Sequence, residues 1–366
     1  MRISDFLFQK ASARAIPLSV SFELSPVCNF SCKMCYVRKT EAQIRAEGKS
    51  LVPWEKWLEL ARELREAGTL FILLTGGEPF LYPNFRKLYE ALHSMGFLIM
   101  INTNGTLIDE ETMQWLKAMS PHRVNLTLYG ASAETYGRLC GNPKGYERAM
   151  YALRALREAG IPTVINASMI PENAEDMEAI AAVGAELELN THIGTYMFPP
   201  VRRNAEATDS RFTPEESAKM YMRRSLAQWG HETCMQHFCQ FLQASREEAT
   251  EDWGCNQAEY MRCRAGRCSF WISWDGIMSA CGLIQFPKTF DAFNGTVLEN
   301  WKELTQLVRS AEVLQGCRGC SLRDLCRPCV ATVYAESGTV DEKAPYLCRL
   351  AECIKDEMST YLEEHT

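Results

Sequence analysis

Cys28-Asn29-Phe30-Ser31-Cys32-Lys33-Met34-Cys35-Tyr36 is a stretch with three cysteines, separated by three and then by two residues. It follows closely on residues 19–24, whose pattern predicts a β-strand. A loop at the end of a strand can bring three thiolates around one metal cluster. A cubane cluster has four irons to ligate, so three cysteines leave one iron open to a substrate or cofactor. The stretch therefore predicts a metal centre that takes part in chemistry.

The cysteine spacing, followed by an aromatic residue, resembles the signature of the radical S-adenosylmethionine (SAM) enzymes. In that family the open iron chelates the amino and carboxylate groups of SAM, and an electron then releases a 5′-deoxyadenosyl radical. The resemblance implies a SAM-binding 4Fe–4S cluster held by Cys28, Cys32 and Cys35, with Tyr36 beside the cofactor. The spacing alone leaves a zinc knuckle or a redox loop open as alternatives.

Composition and charge narrow the class of protein. The chain has 366 residues, of which 46% are hydrophobic and 23% charged, as in an ordinary globular protein. Its net charge of −7 argues against broad binding to a phosphate backbone, so we expect no nucleic-acid partner. The first residues lack the apolar core of a signal peptide, and no apolar run is long enough to span a membrane. We expect a cytoplasmic protein without a membrane partner.

Sixteen cysteines are many for a cytosolic chain. Disulfides are disfavoured in that compartment, so clustered cysteines there favour metal binding. Three lie at 28–35, one at 140 and the other twelve within 234–353. We expect a radical SAM core over residues 1–205, a helical connector over 206–254 and a cysteine-rich domain with a C-terminal helix over 255–366.

Helical and strand patterns alternate between residues 51 and 198. With the first strand at 19–24, five more strands are predicted at 70–75, 97–102, 124–128, 163–169 and 187–197. Asn84, Asp109 and Asn173 are predicted to cap the intervening helices. Six strands joined by helices predict a parallel α/β unit, and periodicity leaves open whether its sheet closes. The family resemblance implies a partial (β/α)6 TIM-like barrel, with chemistry at the C-terminal strand ends.

Three short motifs stand at successive predicted strand ends. Thr75-Gly76-Gly77-Glu78-Pro79 resembles the family's Gly-Gly-Glu-Pro motif, which holds the SAM amino group, and its glycines allow close backbone approach. Asn102-Thr103-Asn104-Gly105 looks like the family's segment near the ribose. Asn125-Leu126-Thr127-Leu128-Tyr129-Gly130 is similar to a segment whose serine hydroxyl contacts SAM, here replaced by threonine. The residues that the resemblance implies for cofactor binding are Gly76, Gly77, Glu78, Pro79, Thr103, Asn104 and Thr127.

The segment Leu139-Cys140-Gly141 departs from the family pattern. Relatives often have an Arg-Gly pair here, with the arginine near the SAM carboxylate, and Arg138 is the substitute that the resemblance suggests. Cys140 is either a redox-active thiol near the site or a small buried hydrophobic residue. It is our candidate for a catalytic residue.

The sequence pattern changes after the predicted barrel. Thr213-Pro214-Glu215-Glu216 is a capping box that starts a helical connector reaching about residue 251. Residues 270–281 predict a hairpin that turns at Asp275-Gly276. The cysteines between 317 and 329 have the spacing Cys-x2-Cys-x5-Cys-x2-Cys, which fits a zinc ribbon about as well as an iron–sulfur site.

The C-terminal cysteines together resemble the SPASM module of radical SAM enzymes. The resemblance implies two auxiliary 4Fe–4S clusters, and hence three clusters in the chain. One would be held by Cys263, Cys268, Cys281 and Cys329, and the other by Cys317, Cys320, Cys326 and Cys348. The last interval is one residue shorter than the family pattern, so Cys255 competes with Cys329 as a ligand of the first of these clusters.

The leading interpretation is a radical SAM/SPASM enzyme that abstracts hydrogen from a peptide or protein, reduced by a donor such as flavodoxin or ferredoxin. The sequence before residue 28 is too short for the leader-peptide-binding domain of many peptide maturases. Gly282 stands where the family's sulfatase maturases have an aspartate base, which argues against formylglycine formation. The alternatives are a radical SAM dehydrogenase of a small alcohol or sugar and a non-catalytic iron–sulfur electron carrier.

Overall fold

The computed structural model describes residues 3–199, 201, 210–247, 261 and 263–366. Within these residues, nine strands form one sheet in the order β6-β5-β4-β3-β2-β1-β7-β8-β9. The strands are β1 Ser19–Ser25, β2 Phe71–Gly76, β3 Leu98–Thr103, β4 Arg123–Thr127, β5 Thr163–Ser168, β6 Asn190–Gly194, β7 Ser269–Ile272, β8 Ile277–Ser279 and β9 Phe290–Asp291.

Helices cover the sheet and form the C-terminal part. They are α1 Ile3–Arg14, α2 Glu41–Ala46, α3 Trp54–Glu66, α4 Phe85–Ser94, α5 Glu110–Ala118, α6 Ala133–Cys140, α7 Gly145–Glu158, α8 Met177–Glu186, α9 Pro214–Glu247, α10 Val297–Ser310, α11 Arg323–Cys326, α12 Val330–Ser337 and α13 Pro345–His365. In the described part of the chain, no helix is both long and apolar enough to cross a membrane.

The first six strands form the predicted parallel α/β unit. Each of β1 to β5 pairs in parallel with the next strand along the chain. In the described residues β6 pairs with β5 alone, so the sheet does not close between β6 and β1. This confirms an open, partial barrel, as the family resemblance implies.

The C-terminal hairpin continues the same sheet. β7 pairs in parallel with β1, from Ser19 opposite Ser269 to Phe22 opposite Ile272. β7 and β8 then pair antiparallel, and Gly276 at the turn has φ 87°. The predicted hairpin is therefore confirmed, and it lies against the strand that precedes the cysteine loop.

β1 has one apolar and one polar face. Val20, Phe22 and Leu24 are fully buried, and the ring of Phe22 lies 4.7 Å from that of Trp57 on α3. Burying such a side chain stabilises the fold by roughly 1.5–3 kcal/mol. Because side chains alternate along a strand, Glu23 projects to the opposite, inner face of the sheet.

The inner face carries a polar ladder across neighbouring strands. Asn125 on β4 donates from Nδ2 to Oδ1 of Asn102 on β3 at 2.7 Å, and Asn102 donates to Thr75 Oγ1 at 3.4 Å. The inside of a complete barrel is normally filled by branched apolar side chains. A polar interior instead indicates a space prepared for a polar ligand.

Of the three residues predicted to cap helices, one makes the predicted hydrogen bond. Asp109 accepts a hydrogen bond from Thr112 N at 2.9 Å and caps α5 as predicted. Asn84 precedes α4 in a left-handed conformation, with φ 62°, and its side chain makes no cap bond, so that prediction was wrong. Asn173 does not begin α8 either: it lies in a short 3-10 helix at residues 171–176, where it donates to Tyr129 O at 2.9 Å.

The connector helix α9 begins as predicted and packs against the last helix. Glu216 N donates to Thr213 Oγ1 at 3.2 Å, and Thr213 N donates to the Glu216 carboxylate at 2.9 Å. Gly230 interrupts the helical geometry of α9 with φ 75°. Phe238 of α9 and Met358 of α13 belong to one buried apolar cluster. The predicted boundaries at residues 205 and 254 lie outside the described residues.

Candidate functional site

A cavity of about 270 Å³ lies at the C-terminal ends of β1 to β4, where the sequence motifs stand. The loop after β1 contributes its three cysteines, and the strand ends of β2, β3 and β4 contribute backbone and polar side chains. The lining residues predicted from the sequence are Cys28, Cys32, Cys35, Tyr36, Gly76, Gly77, Thr103, Asn104 and Thr127.

The loop after β1 is held in place by the end of α6. Ser31 N donates to Cys140 O at 2.9 Å, and Lys33 N donates to Leu139 O at 3.2 Å. These two bonds fix the backbone between the first and third cysteines. The segment Leu139-Cys140-Gly141, which departs from the family pattern, therefore supports the cysteine loop.

The cysteine loop is also tied to the loop after β3. Asn29 Nδ2 donates to Thr106 Oγ1 at 2.8 Å, and Asn104 Nδ2 donates to Asn29 Oδ1 at 2.9 Å. Because these amides bridge two strand ends, the loop has a defined position before any ligand binds.

The three thiols of the loop fit a metal cluster by their electrostatics. Burial raises the pKa of Cys28 to about 12, and the nearby Glu78, Cys32 and Cys35 act in the same direction. Three thiolates so close together would repel one another in a partly dry site. A cationic cluster relieves that repulsion, because metal binding deprotonates thiols and neutralises their charge. The donor set therefore fits a 4Fe–4S cluster with one open iron.

Cys140 lies directly behind the cysteine loop. It is almost completely buried, at the C-terminal end of α6. Its hydrogen bond with Cys32 is the largest of the effects that raise the pKa of Cys32, followed by burial. Cys140 is not among the residues that line the cavity.

The two glycines after β2 allow two backbones to touch. A Cβ at Gly76 would lie 2.3 Å from Ser25 O, and a Cβ at Gly77 would lie 2.3 Å from Val27 O. Because glycine has no Cβ, the two segments can meet, and Gly77 N donates to Ser25 O at 2.7 Å. The glycines thus bring the end of β2 against the start of the cysteine loop, and only residues without side chains fit there.

Glu78 connects this turn to the end of β3. It is fully buried and accepts hydrogen bonds from Thr103 Oγ1 at 2.8 Å, Asn104 N at 2.8 Å and Phe80 N at 3.3 Å. Burial raises the pKa of Glu78 to about 7, against these bonds, which lower it. Glu78 thus links the turn after β2 to the loop after β3, and the buried Pro79 begins a short 3-10 helix at 79–81.

Three of the predicted cofactor residues, Glu78, Pro79 and Arg138, do not line the cavity, and Arg138 makes its contacts elsewhere. Its guanidinium donates to the backbone oxygen of Glu172, at 3.0 Å from Nε and 2.8 Å from Nη2. Nη1 also lies 3.4 Å from Glu134 on the same helix. Arg138 does not line the cavity.

Four C-terminal cysteines lie close together. Burial raises the pKa of Cys326 to about 11, with further contributions from Cys348, Cys317 and Cys320. Cys348 lies in the first turn of α13 and is influenced by Cys320 in turn. Cys326 thus lies near the other three residues predicted for one auxiliary cluster, while no group of three or more Cys, His, Asp or Glu side chains among the described residues is placed to hold a single metal ion.

Within the other predicted set, Cys263 lies near Cys268 and Cys329. The pKa of Cys263 is raised by burial and by the nearby Cys329, and the pKa of Cys268 by burial and, in smaller part, by Cys263. Cys281 follows β8 on the C-terminal hairpin. The competing ligand Cys255 lies outside the described residues.

A second cavity, of about 610 Å³, adjoins the first. Both are lined by Tyr36 and Val37, and the C-terminal hairpin supplies Trp274 and Asp275 to the second. We call it the hairpin chamber. The sequence analysis did not predict it, because its walls come from segments about 240 residues apart in the chain.

Glu23 is the residue of this region that the sequence analysis missed. It is fully buried on β1, in the wall of the hairpin chamber, and accepts a hydrogen bond from Trp271 Nε1 on β7 at 3.0 Å. A charged residue inside an otherwise buried strand is the signal that could have identified it, since carboxylates are seldom buried without a partner.

The comparisons with known proteins agree with this site. Residues 22–183 match the radical SAM superfamily. The chain is 25% identical to the AdoMet-dependent heme synthase of Methanosarcina barkeri, over 90% of this chain and 96% of that protein. It is 24% identical to the sporulation killing factor maturation protein SkfB of Bacillus subtilis, over 74% of this chain and 62% of that protein.

A solved structure shares the fold. The crystal structure of Streptococcus suis SuiB bound to precursor peptide SuiA has a TM-score of 0.64 at 18% identity, over 93% of this chain and 78% of that chain. Residues 22–183 therefore carry a radical SAM domain, and the chain is a radical SAM enzyme that resembles peptide-modifying maturases of the SPASM type. A radical SAM domain implies a 4Fe–4S cluster and SAM.

Proposed function

We propose that this enzyme cleaves SAM reductively and uses the resulting radical to abstract hydrogen from a peptide or protein substrate. The observation that carries the proposal is the single cavity on which the three cysteines and the strand-end motifs converge. A glycine turn, a buried glutamate and two amide side chains hold these parts together, so the cavity needs little reorganisation to receive a cofactor.

Each part of the cavity has a proposed role. Cys28, Cys32 and Cys35 would hold the cluster, which supplies the electron for SAM cleavage. The backbone at Gly76 and Gly77 would bind the amino group of SAM. Thr103 and Asn104, fixed by Glu78, would contact its ribose, and Thr127 its other polar atoms. Arg138 would act only after leaving its bonds to Glu172, and Cys140 would support Cys32 rather than react.

The hairpin chamber is the proposed place of the substrate. It adjoins the SAM cavity at Tyr36 and has the volume of a site for a small molecule or a few side chains. Its walls combine Trp274 and Phe286 with Ser273 and Asp275. The name of SkfB as a maturation protein and the precursor peptide bound to SuiB support a peptide substrate.

A second candidate is the reaction of the heme synthases. Their sequences align with most of this chain and most of their own length, a fuller coverage than that of SkfB. A deuterated substrate of each class separates the two candidates.

The C-terminal cysteines are proposed to hold two auxiliary 4Fe–4S clusters. The mutual proximity of Cys317, Cys320, Cys326 and Cys348 supports one of them, and that of Cys263, Cys268 and Cys329 supports the other. Such clusters can accept an electron from a substrate radical. We further propose the division into a core at 1–205, a connector at 206–254 and a cluster domain at 255–366, with flavodoxin or ferredoxin as the electron donor.

The test begins with SAM cleavage by the anaerobically reconstituted protein. With dithionite and SAM, the wild type should form 5′-deoxyadenosine, and each of Cys28→Ala, Cys32→Ala and Cys35→Ala should form none. Cys353→Ala is the matched control, because this buried thiol on α13 belongs to neither the loop nor the proposed auxiliary sets. Near-normal cleavage by a loop variant would remove the basis of the proposal.

The substrate is then identified by isotope transfer. Candidate peptides with deuterated side chains, and a deuterated porphyrin carboxylate, are incubated separately with the wild type. Deuterium in 5′-deoxyadenosine from a peptide supports the first candidate. Deuterium from the porphyrin alone supports the second and contradicts the first.

A further inference from the structure

A third cavity, of about 700 Å³, is lined by residues of β6, α9, α11 and α13. Among the residues that the structure describes, it shares no lining residue with the SAM cavity or the hairpin chamber. We call it the α9 cavity. Nothing in the proposed chemistry uses it.

The helix α9 runs along the open edge of β6. Ser217 Oγ donates to Thr195 O at 2.6 Å, and Gln228 Nε2 donates to Thr191 O at 2.8 Å. These bonds satisfy two carbonyls of an edge strand, which otherwise attract foreign strands. Arg224 lies on α9 between the two contacts and lines the cavity.

Arg224 is a partly buried cation that pairs with no carboxylate among the described residues. Its guanidinium stacks on the ring of Tyr221 at 4.3 Å and lies 5.9 Å from that of Trp229. Its Nε is sealed from solvent and has no hydrogen-bond partner in the described part of the chain. No ion pair in that part joins it to an acid, and burial lowers its pKa.

The arginines of the same region are arranged differently. Arg223, the preceding residue on α9, pairs with Glu178 through two bonds of 2.9 and 2.7 Å. Arg211 pairs with Glu336 at 2.7 Å. Removing a guanidinium from water without a counter-charge is costly, so Arg224, which has no ion pair within the described residues, is suited to an anion supplied from outside.

The rest of the α9 cavity favours the same ligand charge. Arg327, His192 and His237 also line it, against the single acid Asp324 among the described lining residues. Arg327 donates from Nε to the backbone oxygen of Asp324 at 3.1 Å, so its contact there is not with the carboxylate. The walls further contain the aromatic ring of Phe241.

We propose that the α9 cavity binds a carboxylate side chain of an acidic peptide segment, with Arg224 as its anchor. The inference rests on the proposed peptide substrate and assigns it a second contact, remote from the reacting carbon. A guanidinium and a carboxylate match in a two-bond geometry. The aromatic rings beside Arg224 offer apolar contact to the neighbouring residues of such a segment, and the volume accommodates a few side chains.

The test compares two blocked octapeptides, one alternating glutamate and valine and one with glutamine in place of every glutamate. Binding to the reconstituted full-length enzyme is measured by isothermal titration calorimetry. The wild type should bind the acidic peptide at least tenfold more tightly. Arg224→Gln should reduce this preference to less than twofold, and Arg224→Lys should retain part of it. Arg223→Gln, with the same change of net charge, should keep the preference.

Three outcomes would overturn the inference. The first is equal binding of both peptides by the wild type, and the second is the same loss of preference in Arg223→Gln as in Arg224→Gln. The third is displacement of the acidic peptide by inorganic phosphate at matched ionic strength, which would show that Arg224 binds phosphate. Thermal melting of each variant checks folding. Formation of 5′-deoxyadenosine is measured in parallel, and Arg224→Gln should retain it. An enzyme that cleaves SAM but shows no acidic preference contradicts this inference alone, whereas absent SAM cleavage contradicts the proposed function.

Discussion

The geometry of the cysteine loop depends on the residues of the turn after β2. Gly76 and Gly77 let the turn after β2 pass within hydrogen-bonding distance of the backbone at Ser25. Glu78 then carries the connection to Thr103 through buried hydrogen bonds. The residues proposed to bind SAM therefore also hold the cysteine loop in place, and changes at these positions should affect both stability and cluster retention.

Replacing Gly77 by alanine should disrupt the site by steric conflict alone. The new Cβ would lie 2.3 Å from Val27 O, and backbone cannot move away cheaply. We expect a loss of about 1–3 kcal/mol in the free energy of unfolding, together with a lower iron content after reconstitution. Gly137→Ala is the control, because its Cβ would have its nearest neighbour at 3.6 Å. Denaturant titration and iron analysis should separate the two variants, and equal behaviour would contradict the steric argument.

The buried carboxyl of Glu78 should make the stability of the cluster-free protein pH-dependent. Its pKa is raised to about 7 in the folded state, so the folded protein holds this proton where the unfolded chain has released it. This contribution is fully present below the unfolded value near 4.5 and is lost as pH rises through about 7. Between pH 5 and 8, the wild type should lose roughly 2–3 kcal/mol relative to Glu78→Gln. Parallel denaturation curves for the two proteins would contradict the shift.

Gly282 should prevent formylglycine formation. A Cβ at this position would lie 2.7 Å from the ring of Trp271, so the space of a side chain is already filled. No base is available at 282, and we expect no formylglycine from a sulfatase-type cysteine or serine peptide by mass spectrometry. Gly282→Asp should not create this activity, because the aspartate would have to displace Trp271 from its bond with Glu23. Detection of the product with the wild type would refute the argument.

At the scale of elements, α12 is joined to the end of the barrel by a buried ion pair. Glu336 on α12 has a side chain 4% exposed, pairs with Arg211 at 2.7 Å and accepts a hydrogen bond from Tyr196 at 2.7 Å. The segment after β6, the residues before α9 and the cluster-bearing part of the chain thus meet at one carboxylate. Elements far apart in sequence are held together by a contact that no local pattern encodes.

Glu336→Ala should be strongly destabilising, because it removes the buried carboxylate that pairs with Arg211 and accepts the hydrogen bond of Tyr196. We expect a loss of about 3–5 kcal/mol. Glu178→Ala removes the half-exposed carboxylate that pairs with Arg223, and should change stability by at most about 1 kcal/mol. Similar losses in the two variants, measured by denaturant titration, would mean that the Glu336 pair is screened like a surface pair.

The sequence could predict those elements whose signal is local. The six barrel strands, the Asp109 cap, the start of α9 and the turn at Gly276 follow from periodicity and capping patterns within a few residues. Asn84 was misassigned because asparagine favours both an N-cap and a left-handed backbone, and the structure uses the second. The pairing of β7 with β1 and the hairpin chamber depend on contacts between distant segments, which periodicity does not contain.

At the scale of the molecule, the metal content tests the proposed division into two cluster-binding parts. Three 4Fe–4S clusters require about twelve irons per chain, against about four if the C-terminal cysteines bind zinc. The variant with alanine at Cys28, Cys32 and Cys35 should retain about eight irons, because the other ligands lie elsewhere. Its Mössbauer signals should not respond to SAM. About two zinc ions and no iron in this variant would disprove both auxiliary clusters while leaving the SAM site untouched.

The parallel pairing of β7 with β1 has a consequence for synthesis on the ribosome. β1 emerges first, but its second neighbour begins only at Ser269, so one edge of β1 remains unpaired while the intervening chain is translated. Contacts of such long sequence separation form late and slow folding. The nascent barrel therefore presents an open strand next to three unligated thiols. Protection of this strand from aggregation is therefore needed until the C-terminal hairpin arrives.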